Sequence, residues 1–479
     1  MGQNTAITAR CLIGGGWREG TGEEITRRNP YNDELVTSVR AASLAEADEA
    51  VAAARAARRT WAATPALARA KALHRAGDLL HERRDELARL MTREMGKTLT
   101  ESYEDVEYAV DDLKMAGEDA LRLFGQFVQG TSSDTQDPKR VLVQNVPVGV
   151  VGLATPWNFP VAIPCELLGP ALACGNTVVW KPSEITPGSG HLLAEVLAEA
   201  FPPGVVNVLH GRGDVGGHLV THPHVDMFGF VGSTATGEAI ARAAGVKKLL
   251  LELGGNGPVV VMEDADIDAA AEATVYSAYY AGGQVCTATE RVLVHDLVHD
   301  RFVARVVELS KSVTGGDPLD EATTMGPMCF AGSFSKTRQH IDDAVAKGAR
   351  IVFGGGFAGL YHEPTVLTGV TSDMLIAQDE TFGPVVPIMR FSSQDEAIEL
   401  ANETDYGLQG AVFTGSMPTA WQMAEAIECG TVHVNGTTNH WELLAPFGGM
   451  KKSGIGRILG VASPSSFTNQ KQITFDVGH

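Results

Sequence analysis

Cys286 and Glu252 are the two side chains of this sequence whose surroundings suit covalent chemistry. Cys286 lies in AGGQVCTATER, where flanking glycines allow backbone to approach closely. A helical continuation there would set the thiol at a helix N-terminus, which favours thiolate. Glu252 closes the apolar run LLLE immediately before Gly254 and Gly255, a position suited to a capping or a catalytic carboxylate. The other five cysteines, Cys11, Cys165, Cys174, Cys329 and Cys429, are scattered without CxxC pairs. They read as reduced, buried thiols, and neither a zinc knuckle nor a disulfide framework is expected; no metal site is expected either.

Other segments suit a dinucleotide. Gly232-Ser233-Thr234-Ala-Thr-Gly237 follows a strand-like run and precedes a helical one, so its N–H groups and the Ser233 hydroxyl suit a pyrophosphate; a simple helix cap reads the same way. Lys181-Pro-Ser183-Glu184 closes the run NTVVW, where nucleotide-binding sheets carry the acid that accepts from an adenosine ribose, and Glu184 fits that role. Two GxGxxG matches, at 211–216 and 354–359, are weak in a chain with 53 glycines. The second lacks a helical continuation, and the first serves equally as a tight strand-to-helix turn.

The elements that must hold these residues follow from the texture of the chain. From Val148, short apolar runs closed by turn residues alternate with helical stretches (VGVVGLATPWN, PCELLGPALACG, NTVVWKPSE, GSGHLLAEVLAEAF, VVNVLHG). That alternation predicts a parallel sheet covered by helices, an α/β fold, with ligands bound beyond the carboxyl ends of its strands. The loops at 156–158, 181–184, 211–216 and 232–237 are then the ones to face a cofactor. A second alternating stretch, from PVVVM at 258 through RVLVHD to the region 431–435, predicts a further domain. Residues 45–125 carry Ala, Leu, Arg and Glu at helical spacing, with charges expected on solvated faces. Cysteine, carboxylate and a dinucleotide sheet together point to thiohemiacetal redox chemistry.

At 479 residues the chain is long enough for two or three domains. A net charge of −20 and a pI near 5.1 oppose nucleic acid or anionic membrane as the main partner. The N-terminal residues show neither an apolar signal core nor a transit pattern, so a cytoplasmic location is expected.

Eleven ordered strings resemble the aldehyde dehydrogenase superfamily over essentially the whole chain: PWNFP, GNTVVWKPSE, FPPGVVNVLHG, GSTATG, LELGGNGP, GQVCTA, GDPLD with MGP, PTVL, ETFGPVVP, YGLQGAVF and PFGGMKKSGIGR. The resemblance implies NAD(P)-dependent oxidation of an aldehyde to the acid, with Cys286 as nucleophile, Asn158 as oxyanion donor together with the Cys286 N–H, and Glu252 as the base of hydrolysis. It implies cofactor contacts from Pro156, Trp157, Lys181, Ser183, Glu184, Gly232, Ser233, Leu253, Glu380 and Phe382. NAD is the expected cofactor, with NADP second. It also implies a Rossmann-like cofactor domain (1–122 and 148–254), an α/β catalytic domain (255–453) and a small β arm (123–147 and 454–479) that joins subunits into a homodimer or homotetramer. Glu166 stands where relatives commonly carry tryptophan, and with His440 and Trp441 it is expected to line the substrate pocket; no arginine pair marks an acid-tailed substrate. Glu252 argues against the CoA-acylating branch, and the presence of nucleophile, donor and base argues against an inactive binding relative.

Overall fold

The computed structural model describes residues 6–129 and 139–476. Two large sheets dominate it. The first orders its strands Gly454–Ile455, Lys248–Glu252, Met227–Val231, Val150–Ala154, Thr177–Lys181, Val206–Val208, Cys11–Ile13 and Gly16–Arg18. The five central strands are parallel, and antiparallel strands close both sides. The second runs Arg350–Phe353, Thr365–Thr368, Val385–Phe391, Arg291–His295, Pro258–Val261, Gln409–Phe413 and Thr431–Val434, all parallel except the first.

Both sheets are buried on two faces, which is why their strands read as continuous apolar runs rather than alternating ones. Val151, Leu153, Val178 and Trp180 face a core shared with the helices Ala66–Glu82, Leu99–Ala120 and Ala162–Ala173. Their neighbours Val150, Ala154 and Val179 face the opposite side, under Leu44–Ala63, Gly213–Thr221 and Thr234–Ala243. The second sheet divides the same way, Val260, Leu293 and Val412 to one side and Val259, Val292 and Ala411 to the other.

Helix starts follow from local chemistry. Ser43 with Glu46, and Thr98 with Glu101, form reciprocal capping boxes that satisfy the first free N–H groups of Leu44–Ala63 and Leu99–Ala120. One expectation is corrected in this region. The charges of the 45–125 helices are not all solvated, because Glu94, Lys97, Glu101, Asp105 and Asp112 are buried.

A third sheet of Gln126–Gln129, Lys139–Pro147 and Thr468–Asp476 is antiparallel, and its long pair runs without a break from Thr468 opposite Pro147 to Asp476 opposite Lys139. Gly454–Ile455, in sequence just after the second large sheet, pairs instead with Leu251–Glu252 at the edge of the first. Among the described residues no helix is long and apolar enough to cross a membrane.

Candidate active site

In the first sheet the chain builds outward from Val150–Ala154 through Thr177–Lys181 to Val206–Val208, then returns to the other side with Met227–Val231. The crevice where this order reverses is the place an open α/β sheet offers a ligand. A cavity of ≈ 330 Å³ lies there, lined by Pro156, Trp157 and Asn158 from one loop and Gly232 and Ser233 from the other, with Glu252, Cys286, Glu380 and Phe382.

Cys286 sits in a turn, not at the start of a helix: Ala288 N–H donates to the Val285 carbonyl at 3.0 Å and no helix follows. The expected helix-dipole assistance is therefore absent. Burial and the neighbouring Glu252 carboxyl push the thiol well above its ordinary range. What precedes the turn is unusual backbone. Ala281, Gly282 and Gly283 are all left-handed, with φ of 50°, 64° and 70°. The two glycines bear this freely and Ala281 does not. Its N–H is held by the Glu101 carboxylate at 2.7 Å, which fixes the strained residue to the helix Leu99–Ala120. Gln284 braces the same loop, donating to the Ala281 carbonyl at 2.9 Å and accepting from Cys329 N–H at 2.9 Å.

Glu252 ends its strand and is 3 % exposed. Its carboxyl interacts with the Cys286 thiol, while its Oε1 has no hydrogen-bond partner. Burial, reinforced by Glu380, raises Glu252 to about 8. Gly255 explains how the two loops come so close, since a Cβ there would collide with the Cys286 carbonyl oxygen.

Asn158 is buried; its Nδ2 donates to the Gln284 carbonyl at 3.1 Å, which leaves the amide's second hydrogen for another acceptor. The Cys286 N–H makes no hydrogen bond among the described residues. Two donors therefore flank the thiol, the arrangement that stabilises a developing alkoxide.

Several expected cofactor residues converge and others stand apart. The helix Thr234–Ala243 begins at the cavity, with Ser233 as its cap and Gly232 and Ser233 in the lining. The free N–H groups of a helix start fit a pyrophosphate. Glu380 accepts from Gly255 N–H at 3.0 Å, and burial lifts it to about 7. Phe382, at φ 57°, sets its ring edge-on to Trp157 at 5.7 Å. Lys181, Ser183 and Glu184 lie outside that cavity, at the end of the neighbouring strand. There Lys181 Nζ donates to the Gly211 carbonyl at 2.8 Å, the Pro182 carbonyl at 3.2 Å and Glu184 Oε2 at 3.1 Å. The 211–216 glycines thus form a strand-to-helix turn that Lys181 ties down. Leu253 does not line the cavity; its N–H pairs with the Ser453 carbonyl and its side chain packs against Gly237.

A second cavity of ≈ 240 Å³ opens on the other side of the thiol. Glu166, His440 and Trp441 all line it, as expected, together with Tyr108, Phe159 and Tyr280. The two cavities share Ile163, Glu252 and Cys286. Outside both linings, exposed Asp48, half-buried His218 and buried His222 gather, with Asp48 Oδ1 2.6 Å from His218 Nε2.

Besides Glu101, three supporting residues escape sequence reasoning. Lys97 Nζ pairs with Asp105 at 2.6 Å, both side chains fully buried, and donates to the Asn158 carbonyl at 3.1 Å. Asp105 in turn accepts from Ala162 N–H at 2.7 Å, so the pair grips both ends of the loop 158–162. Glu290 accepts from the N–H groups of Thr381 and Phe382 at 2.8 and 2.9 Å and so presents Glu380.

The aldehyde dehydrogenase family model matches residues 17–473. The chain is 40% identical over 459 residues to the mitochondrial succinate-semialdehyde dehydrogenase of Arabidopsis thaliana, covering 94% of this chain and 86% of that one. It is 40% identical over 456 residues to the glutarate-semialdehyde dehydrogenase of Pseudomonas aeruginosa, covering 94% and 93%. The solved NADP-dependent glyceraldehyde-3-phosphate dehydrogenase of Bacillus halodurans, complexed with NADP, superposes with a TM-score of 0.96 at 37% identity, covering 98% and 100%. Matched over nearly its whole length in sequence and in fold, and carrying a cysteine and a glutamate where its two cavities join, the chain belongs to the aldehyde dehydrogenase family.

Proposed function

We propose that this enzyme oxidises an aldehyde to its carboxylic acid with NAD(P)⁺, through a thioacyl intermediate on Cys286. The meeting of the two cavities at Cys286 and Glu252 carries the reading, because it lets an aldehyde and a nicotinamide approach one sulfur from opposite sides. Cys286 Sγ attacks the carbonyl carbon, and Asn158 Nδ2 with the Cys286 N–H receives the oxygen as it gains negative charge. A bound nicotinamide supplies the acceptor for the hydride that this carbon then releases. Glu252, whose Oε1 has no partner, takes a proton from water as it attacks the thioester, and Cys286 leaves as the sulfur of the free enzyme. Before attack the same carboxylate is placed to receive the thiol proton.

On the cofactor side, Gly232 and Ser233 hold the pyrophosphate, Glu380 the nicotinamide ribose, and Phe382 with Trp157 the ring's surroundings. Lys181, Ser183 and Glu184 hold the adenosine ribose, with NAD⁺ preferred because the Glu184 carboxylate opposes a second anion. Pro156 shapes the cleft directly, and Leu253 supports it from behind, packed against Gly237. In this reading residues 1–122 and 148–254 form the cofactor domain, 255–453 the catalytic domain, and 123–147 with 454–479 the arm. The open edges of the arm's sheet and its exposed Phe127 and Phe475 favour pairing between subunits as a dimer or tetramer. The acidic composition and six unpaired cysteines favour a cytoplasmic enzyme.

NADH formation from an aldehyde, followed by absorbance, tests the function. Wild type produces it and Cys286→Ala does not, while still binding the dinucleotide. Comparable turnover in that variant overturns the assignment of the nucleophile.

A further inference from the structure

The cavity on the aldehyde side of Cys286 has a one-sided charge. Glu104, Asp105 and Glu166 line it beside Glu252, and no lysine or arginine does; its one basic side chain, His440, is exposed at the rim. These carboxyls are not equivalent. Asp105 is neutralised by Lys97, and Glu104 accepts from the Tyr280 hydroxyl at 2.8 Å. Glu166 is 7 % exposed and has no cationic partner among the described residues. Its ionisable neighbours are the carboxyls of Asp112, Glu252 and Asp105, which with burial push its own carboxyl well above the usual range, and the polar group facing it is the Tyr108 hydroxyl.

So placed, the carboxyl is held in its neutral form, and a positively charged ligand group beside it favours the ionised one. The walls beside Glu166 suit the same kind of group. Trp441 stands edge-to-face with Phe159 at 5.9 Å and with Tyr108 at 6.5 Å, so aromatic surfaces meet at a corner. Aromatic faces attract alkylammonium cations, most strongly where water is excluded. Phe159 already faces a cation, Lys97 Nζ at 4.3 Å from the ring centroid, which leaves Tyr108 and Trp441 as the free walls. An acid-tailed aldehyde, of the kind the two relatives are named for, would instead bring another anion beside Glu166.

We infer that Glu166, with Tyr108 and Trp441, forms a subsite for the cationic, ammonium-type tail of the aldehyde this enzyme oxidises. The inference rests on the oxidation proposed above and names its substrate class. Glu166 sets the charge preference and the two rings exclude water around it.

The test compares three aldehydes at saturating NAD⁺ with the full-length enzyme: trimethylammonioacetaldehyde, its all-carbon isostere with a tert-butyl group in place of the trimethylammonium, and succinate semialdehyde. The cation should exceed the neutral isostere in kcat/KM by about tenfold or more, the order that one charge-assisted contact supplies, and exceed the acid by a wider margin. In Glu166→Gln the cation-to-neutral ratio should collapse toward unity; being a ratio, it is insensitive to a general loss of activity. Titration calorimetry with butyltrimethylammonium reads the subsite without turnover, and its affinity should fall about tenfold in the variant. The inference is overturned if the neutral or acid-tailed aldehyde is used as well as the cation, or if Glu166→Gln leaves both ratio and affinity intact. Butyltrimethylammonium binding that depends on Glu166 without NADH from any of the aldehydes would uphold the subsite and refute the oxidation instead.

Discussion

Lys97 and Asp105 form a wholly buried ion pair at 2.6 Å, and the same ammonium donates to the backbone carbonyl of Asn158 at 3.1 Å. A structural charge pair thus reaches the backbone of the residue proposed as oxyanion donor. Removing one partner strands the other charge, so Lys97→Met should destabilise the protein by about 3–5 kcal/mol, and Lys97→Met with Asp105→Asn should recover part of it. Differential scanning calorimetry of the two variants checks this; equal loss in single and double variants would mean that the pair acts by packing alone.

Glu252 carries a carboxyl raised to about 8, so near neutrality it is largely protonated and becomes a base as pH climbs through that value. Where hydrolysis of the thioester limits turnover, the steady-state rate should rise across this range. Glu252→Gln should keep a first burst of NADH yet turn over on the order of 10²–10⁴-fold more slowly, with that limb flattened. Because the Glu252 carboxylate also holds the Cys286 thiol up, the variant's burst should reach its plateau at lower pH than wild type. Stopped-flow absorbance separates the two phases, and a variant with no burst would assign Glu252 to thiol activation.

Glu184 pairs with Lys181 at the strand end rather than standing alone, so its repulsion of a ribose phosphate is softened but not removed. Wild type should show higher kcat/KM with NAD⁺ than with NADP⁺. Glu184→Gln should move the ratio toward NADP⁺, since it keeps the side-chain shape and frees the Lys181 ammonium from its carboxylate. An unmoved ratio would show that Glu184 turns away from the ribose.

Glu101 fixes the left-handed Ala281 through one hydrogen bond, with its other oxygen serving the Thr98 cap. Glu101→Gln can serve only one of the two as acceptor, because its amide nitrogen does not accept. The expected result is a loss of kcat with little change in dinucleotide affinity, read by steady-state kinetics alongside fluorescence titration. Unaltered kcat would mean that the loop holds its strain without Glu101.

The alternation of apolar runs and helical stretches was enough to place the crevice, since 156–158 and 232–233 leave the two strands that flank the reversal in order. The pairing of Cys286 with Glu252 was legible through the strings around them. The supports were not. Lys97, Glu101 and Asp105 sit in TREMGKTLTESYEDV, where charges at helical spacing look solvated. Burial is a property of what packs against a helix, here the loop 158–162 and the catalytic turn, and no local pattern records it. The one available signal was Thr98-x-x-Glu101, a capping box that marks the helix start and is silent about the second acceptor role of its glutamate. The helix expected after Cys286 failed for a related reason. The glycines before it feed a left-handed turn, and Ala288 closes a further turn rather than a helix.

The two cavities share three residues and no more, so filling one leaves the other open. Kinetically, that shape implies a ternary complex: aldehyde and dinucleotide must reside on the enzyme at once for the hydride to leave carbon. Initial-rate lines should therefore intersect rather than run parallel. A carboxylic acid product should compete with the aldehyde while leaving dinucleotide affinity alone, because each occupant reaches the shared sulfur through its own door.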